Sequence, residues 1–187
     1  MPIYSGPERR NLRLAGWDYR SPGPYGITLV THHREWRFGE VDVINGQMVL
    51  NDAGTMIEAV WQEMATEFPR ITLDAFVVMP NHLHAILHLA RQDQDRNPRL
   101  GDIIQRYKSI TTARYSTGIH TLGWPPYDRR LWQNEFYDHI IRDANDLDRS
   151  RRYIAANPAN WHRDRDRDPS PTHDAPPATR RRTRPHT

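Results

Sequence analysis

Two strand-forming runs, residues 73–79 and 82–87, are separated only by Pro80-Asn81. Both intervening residues are turn formers, and two residues make the shortest common hairpin loop, so the segment predicts a tight antiparallel hairpin. That hairpin decides which side chains share a face. Strand residues two apart point the same way, so His82 and His84 converge while Leu83, Ala85 and Leu87 pack on the opposite side. Neutral imidazole is a common metal ligand. Two on one rigid strand, with room for a third ligand, make an open site for a divalent cation. Its expected place is where the hairpin re-enters the sheet, next to solvent. A strand whose polar face merely carries histidines is the plainer alternative, and His88 fits it too.

Residues 25–31 are β-branched and apolar and predict a central strand. Asn45-Gly46 predicts a short hairpin between residues 40 and 50. Asn51 then caps a helix on which Ala53, Ile57, Val60, Trp61, Met64 and Phe68 recur at helical spacing up to Pro69. A second helix is expected over residues 100–115, with Ile103, Ile104 and Tyr107 inward, and a last one over 145–157, stopped by Pro158. Residues 131–141 are aromatic and partly extended or helical. This order predicts an α+β fold, a ferredoxin-like antiparallel sheet with packed helices. Residues 1–24, polar and rich in proline and glycine, read as an N-terminal arm. Residues 25–161 form the domain, and 162–187, with almost nothing apolar, read as a disordered basic tail.

The chain has no cysteine, which excludes a disulfide framework, a cysteine nucleophile and a thiolate zinc site. No apolar run approaches the roughly 18 residues of a bilayer span, and the N-terminus lacks a signal-peptide core. The expectation is a cytoplasmic protein with no membrane partner. Net charge is only +3, but Lys108 is the one lysine and the arginines cluster. They gather at Arg9, Arg10 and Arg13, at Arg129 and Arg130, at Arg149, Arg151 and Arg152, and at 180–184. Arginine suits bidentate contact with phosphate, and such clusters beside many aromatics point to nucleic acid.

A metal beside basic patches suggests phosphodiester chemistry, which needs a nucleophile. Tyr153 and Asn157 lie four apart and project from one helical face. A phenol, with a pKa near ~10, becomes useful when neighbouring cations favour the phenolate, and Arg151 and Arg152 adjoin Tyr153 in sequence. Asn157 offers a neutral carbonyl oxygen, a reasonable third ligand for a hard ion such as Mg²⁺. A tyrosine packed on the sheet is the plainer reading of Tyr153, and Tyr137 is a rival nucleophile in a conspicuous aromatic block.

From about Arg10 to Trp161 the chain resembles the HUH transposases with a single catalytic tyrosine, and within them the REP-associated tyrosine transposases. The resemblance rests on Met79-Pro80-Asn81-His82-Leu83-His84, on Tyr107-Lys108-Ser109 with Thr111-Thr112, on Leu131-Trp132-Gln133, on Phe136-Tyr137-Asp138-His139-Ile140-Ile141-Arg142, and on Tyr153-Ile154 with Asn157-Pro158. It implies a metal-dependent single-stranded DNA endonuclease and strand transferase. His82 and His84 would be the paired ligands of Mg²⁺ or Mn²⁺, and Tyr153 the nucleophile that forms a 5′-phosphotyrosine. Asn157 stands where related transposases place a glutamine ligand. Lys108, His139, Arg142, Arg151 and Arg152 would face DNA. The implied partner is single-stranded or hairpin DNA of repetitive extragenic palindromes, and the implied setting the bacterial cytoplasm, beside the nucleoid. Relatives include monomers and homodimers that exchange tyrosine helices, and the resemblance leaves both open.

Three other readings remain at this level. A domesticated relative would keep the fold and bind DNA without cutting it. A metal-dependent hydrolase would use water and survive loss of Tyr153. An RNA-binding module would need aromatics exposed on the central strands, where Val77, Leu83 and Leu87 stand instead.

Overall fold

The β-branched, apolar run at residues 25–31 becomes strand β1 (Gly23–Val30), which buries Tyr25, Ile27 and Leu29 on one face. A 3₁₀ turn at His32–Arg34 leads to a small hairpin, β2 (Gly39–Asp42) and β3 (Gln47–Leu50). Helix α1 (Asp52–Glu67) follows, capped by Asn51, whose Oδ1 accepts from the Gly54 N–H at 2.8 Å. The Pro80-Asn81 turn joins β4 (Ile71–Met79) to β5 (His82–Leu89). Helix α2 (Leu100–Leu122) runs two turns past the expected end at 115, as far as Gly123, which takes the left-handed conformation of a C-cap at φ +70°. Strand β6 (Tyr137–Ile140), helix α3 (Ala144–Ala156) and a 3₁₀ turn at Pro158–Arg163 complete the domain. This computed structural model describes Leu14, residues 16–91 and residues 96–164. The first residues of the expected arm, the expected tail from 165 onward, and the arginines at 9–13 and 180–184 lie outside the described residues.

The main sheet has the order β4-β5-β1-β6, antiparallel throughout. Helix α1 lies between β1 and β4 in sequence, and α2 between β5 and β6. With the β2–β3 hairpin set aside this is the βαββαβ order of a ferredoxin-like fold, as the sequence predicts. Strand β5 is central, and its alternation divides it between two cores. Leu83, Ala85 and Leu87 join Ile57, Trp61 and Met64 of α1 and Ile103, Ile104 and Tyr107 of α2. On the other face Ile86 packs with Ile141 and with Ile154 of α3. A one-residue slip would put both histidines into the larger core and expel three residues that are fully buried, so this register is strongly specified.

Helix α3 is held over the sheet at both edges. Arg151 makes a bidentate pair with Asp74 of β4, at 3.0 and 2.7 Å. His139 of β6 meets Asp146 at 2.9 Å. Asp74 sits where the β4–β5 register shifts between Leu73 and Phe76, an irregularity that turns its carboxylate toward the helix.

Candidate active site

The register of β1 against β5 sets Val30 opposite His82 and Thr28 opposite His84. The two imidazoles share the α3 face, with centroids 4.5 Å apart and planes at 70°. They were expected beside solvent, and the structure corrects that. His82 is fully buried and His84 is 7% exposed, because the segment after α3 folds back over them. Trp161 packs on His82, with centroids 5.8 Å apart, and Trp36 stacks behind Trp161 at 5.6 Å. The β2–β3 hairpin backs this cover. Gly46 takes φ +62° in its turn, and a Cβ there would come within 3.2 Å of Ala159 Cα.

Second contacts fix the tautomers. The Asn81 amide nitrogen donates to the Arg34 carbonyl at 3.0 Å, so its Oδ1 is the atom facing His82 Nδ1 at 2.8 Å. An amide oxygen can only accept, so Nδ1 of His82 carries the proton and Nε2 keeps its lone pair. His84 Nδ1 lies 2.7 Å from the Thr28 hydroxyl, which accepts in the corresponding tautomer. Both Nε2 atoms are buried and neither has a hydrogen-bond partner, and the same holds for Asn157 Oδ1. Asp164 Oδ2 lies 3.7 Å from His82 Nε2, and ligand atoms of His82, His84 and Asp164 all fall within 4.8 Å of one another. Buried polar atoms without partners are uncommon. Here they converge on one point, and two imidazoles, a carboxylate and an amide oxygen form a donor set that suits a divalent cation.

Electrostatics favour the ligating forms. Burial pushes the His82 pKa down to about 3, with the Asn157 amide partly opposing and the Arg34 charge assisting. His84 is lowered by burial and then by His82, while Asp164 pulls the other way. Both rings are therefore neutral near pH 7.

Asp164 is the residue that sequence reasoning missed. The 3₁₀ turn carries the chain past the expected boundary at 161, and the Asp164 N–H closes it on the Trp161 carbonyl at 3.1 Å. Its side chain is only 7% exposed.

Tyr153 is brought to the same place. Its ring meets that of His84 with centroids 5.2 Å apart and planes at 72°, while the side of Tyr153 away from His84 is open to solvent. Asn157, one turn on, is buried beside the histidines. Tyr137 pairs with Thr28 in the sheet and so shares this face, and His139 pairs with Gly26 two residues away.

The expected DNA contacts divide. Arg142 and Arg152 are exposed. Arg151 is engaged by Asp74, and His139 by Asp146. Lys108 donates to the carbonyls of Gln133, Asn134 and Glu135 at 2.8, 3.1 and 3.1 Å, so its three donors hold the loop before β6. Its pKa falls to about 8 through burial, against the pull of Glu135. Tyr107, inward as the helical spacing predicts, and Tyr115 are core residues. Trp132 is also core, its indole N–H donating to Thr111 at 2.9 Å.

Residues 40–157 match the family described as "Transposase IS200 like", a stretch that is more than half the chain and contains His82, His84, Tyr153 and Asn157. The chain belongs to the IS200-like transposase family. An uncharacterized protein of Haemophilus influenzae is 34% identical, the match covering 83% of this chain and 91% of that one. A REP-associated tyrosine transposase of Escherichia coli is 29% identical over 46% of this chain and 43% of its own length. Among solved structures, a REP-associated tyrosine transposase bound to a REP hairpin is 22% identical, with a TM-score of 0.50, covering 84% of this chain and 74% of that one. That likeness is one of fold. The IS200-like transposase is thus of an enzyme family that binds and moves DNA, and among its described residues no helix is long and apolar enough to cross a membrane.

Proposed function

We propose that this IS200-like transposase cuts and rejoins single-stranded DNA beside short hairpins, through a covalent bond between Tyr153 and a 5′-phosphate. The observation that carries the reading is the meeting of Tyr153 with a histidine pair whose two Nε2 atoms are buried without a hydrogen bond and lie beside Asp164 and Asn157. His82 and His84 would hold Mg²⁺ or Mn²⁺, with Asp164 and Asn157 as the oxygen donors. When bound, such a cation supplies Lewis-acid polarisation of the scissile phosphate and stabilises charge on the leaving oxygen.

The chain's own residues do the rest. The Tyr153 oxygen gives up its proton and attacks phosphorus in line. The phosphorus–O3′ bond breaks, leaving a 5′-phosphotyrosine and a 3′-oxygen that takes up a proton. The phosphotyrosine keeps the energy of the diester, so attack by another 3′-hydroxyl reverses the step and rejoins DNA without ATP. Helix α3, pinned by Arg151–Asp74 and Asp146–His139, holds the phenol against the site. A site in which tyrosine and histidines come from one chain supports catalysis within a monomer.

Exposed Arg142 and Arg152 would contact phosphate, and exposed rings would stack on unpaired bases. Lys108 would act on DNA only through the loop it holds. Hairpin recognition is supported by the solved relative bound to a REP hairpin, and a place in the bacterial cytoplasm beside the nucleoid follows from such a substrate.

The test is to incubate the full chain with end-labelled single-stranded hairpin DNA and Mn²⁺ or Mg²⁺, then denature. A protein–DNA adduct that survives denaturation is expected. Tight binding with no adduct would favour a domesticated DNA-binding protein, and cut product without adduct a hydrolase that uses water.

A further inference from the structure

Beyond β1, two adjacent histidines point the same way, which neighbouring residues ordinarily do not. His33 takes φ +56° and Arg34 φ +54°, and across from them Arg129 takes φ +59°. The left-handed region is costly for residues other than glycine, and such strain collects where a site imposes it. Its result here is geometric. The rings of His32 and His33 lie with centroids 3.7 Å apart, and His33 Nε2 is 3.9 Å from Asp128 Oδ2. One ligand atom from each of His32, His33 and Asp128 falls within 4.8 Å of the other two.

We propose that His32, His33 and Asp128 form a second metal site, one for a borderline transition ion such as Zn²⁺ or Co²⁺. Two imidazoles and one carboxylate suit such an ion better than Mg²⁺ or Ca²⁺, which prefer all-oxygen shells. Bonds of about 2.0–2.1 Å require ligand atoms roughly 3.3 Å apart, so the exposed Asp128 side chain would rotate and the two rings would tilt slightly to close the difference. The backbone brings the two segments together beforehand. The His32 N–H donates to the Leu131 carbonyl at 2.8 Å, and Thr31 bridges to Trp132. Three protein ligands leave positions for water.

The site reaches the histidine pair through one residue. The Arg34 carbonyl, at the end of the strained turn, accepts from Asn81, and Asn81 orients His82. An ion at the second site would stiffen the turn on which that orientation rests. The inference stands on its own residues and does not depend on the function proposed above.

The experiment is a Co²⁺ titration of the full chain in phosphate-free buffer, followed by visible absorption and by calorimetry. The wild type should take two ions. Asp128→Asn, at an exposed position, should take one, and so should His33→Asn, since asparagine tolerates the left-handed backbone best after glycine. A chain lacking His82 and His84 should keep the ion that Asp128→Asn loses. A chain lacking His82 and His84 that takes no ion, or an Asp128→Asn chain that takes as many ions as the wild type, would overturn the second site.

Discussion

The Tyr153 ring lies edge-on to that of His84, with centroids 5.2 Å apart, although the two residues are 69 positions apart in sequence and stand on different elements. The contact exists because three local choices agree. The Pro80-Asn81 turn sets the register that aims His84 at the α3 face. Asp143 starts α3 by accepting from the Asp146 N–H at 2.9 Å. Arg151 then ties the helix to the irregularity in β4. Helical spacing puts Asn157 on the same side as Tyr153, so the proposed nucleophile and the proposed metal donors meet within one chain.

Removing either imidazole should abolish DNA cleavage while leaving DNA binding largely intact, since phosphate contacts lie elsewhere. EDTA should act like His82→Ala or His84→Ala. Asp164→Asn should lower the apparent Mn²⁺ affinity at least about tenfold, read from the Mn²⁺ dependence of adduct formation. Full cleavage in EDTA would remove the metal from the account, and an unchanged Mn²⁺ dependence would remove Asp164.

Asn81 touches no reacting atom, yet its amide fixes the His82 tautomer and ties down the Arg34 carbonyl. Asn81→Ala should weaken metal binding roughly 10- to 100-fold, the usual cost of losing a partner that orients a ligand. Saturating Mn²⁺ should restore most of the cleavage. A variant with wild-type metal affinity would show that the tautomer is set in another way.

Acid should destabilise the metal-free protein in a definite window. In the unfolded chain both histidines take up protons near pH 6.5, while burial holds the folded His82 to about 3 and lowers His84 as well. The unfolded state therefore binds more protons below pH 6.5. Stability should be full above that value and fall as pH drops toward 3, by up to about 1.4 kcal/mol per pH unit for each ring. Urea melts in EDTA between pH 7.5 and 5 measure this. His84→Gln should flatten the slope, and an equally steep slope in that variant would contradict the assignment.

Loss of the α3 pin should uncouple catalysis from metal binding. Asp74→Ala removes both acceptors of the Arg151 fork and the partner of His88. Because Arg151 is half exposed and solvent screens the pair, the stability cost should be small. The adduct should form more slowly while Mn²⁺ binds as before. An unaltered adduct rate would mean that other packing positions Tyr153.

Much of this arrangement is legible in the sequence because it rests on local rules. The Pro80-Asn81 turn, the Asn51 cap and the alternation of β5 each follow from side-chain chemistry over a few residues. Together they yield the ferredoxin-like order and the convergence of His82 with His84. The family motifs supply Tyr153 and Asn157 as candidates. What stayed hidden depends on contacts distant in sequence. Asp164 is the second residue of an Arg-Asp alternation, Arg163 to Asp168, whose composition reads as tail, and only the packing of Trp161 on His82 reveals that the chain is still folded at Asp164. Burial of the histidine pair has the same origin. Lys108 is a DNA contact only by the family resemblance, and nothing in its neighbours announces three carbonyls offered by a loop 25 residues away.

The most direct measurement maps the covalent adduct. Wild-type protein, Tyr153→Phe and Tyr137→Phe are each incubated with labelled single-stranded hairpin DNA and Mn²⁺, denatured and digested, and the DNA-bearing peptide is sequenced. Tyr153→Phe removes one oxygen from a half-exposed side chain and should leave the fold, metal binding and DNA binding unchanged while eliminating the adduct. Tyr137→Phe should retain at least part of it, and the wild-type adduct should lie on the peptide containing Tyr153. An adduct on Tyr137, or one that persists in Tyr153→Phe, would contradict the mechanism.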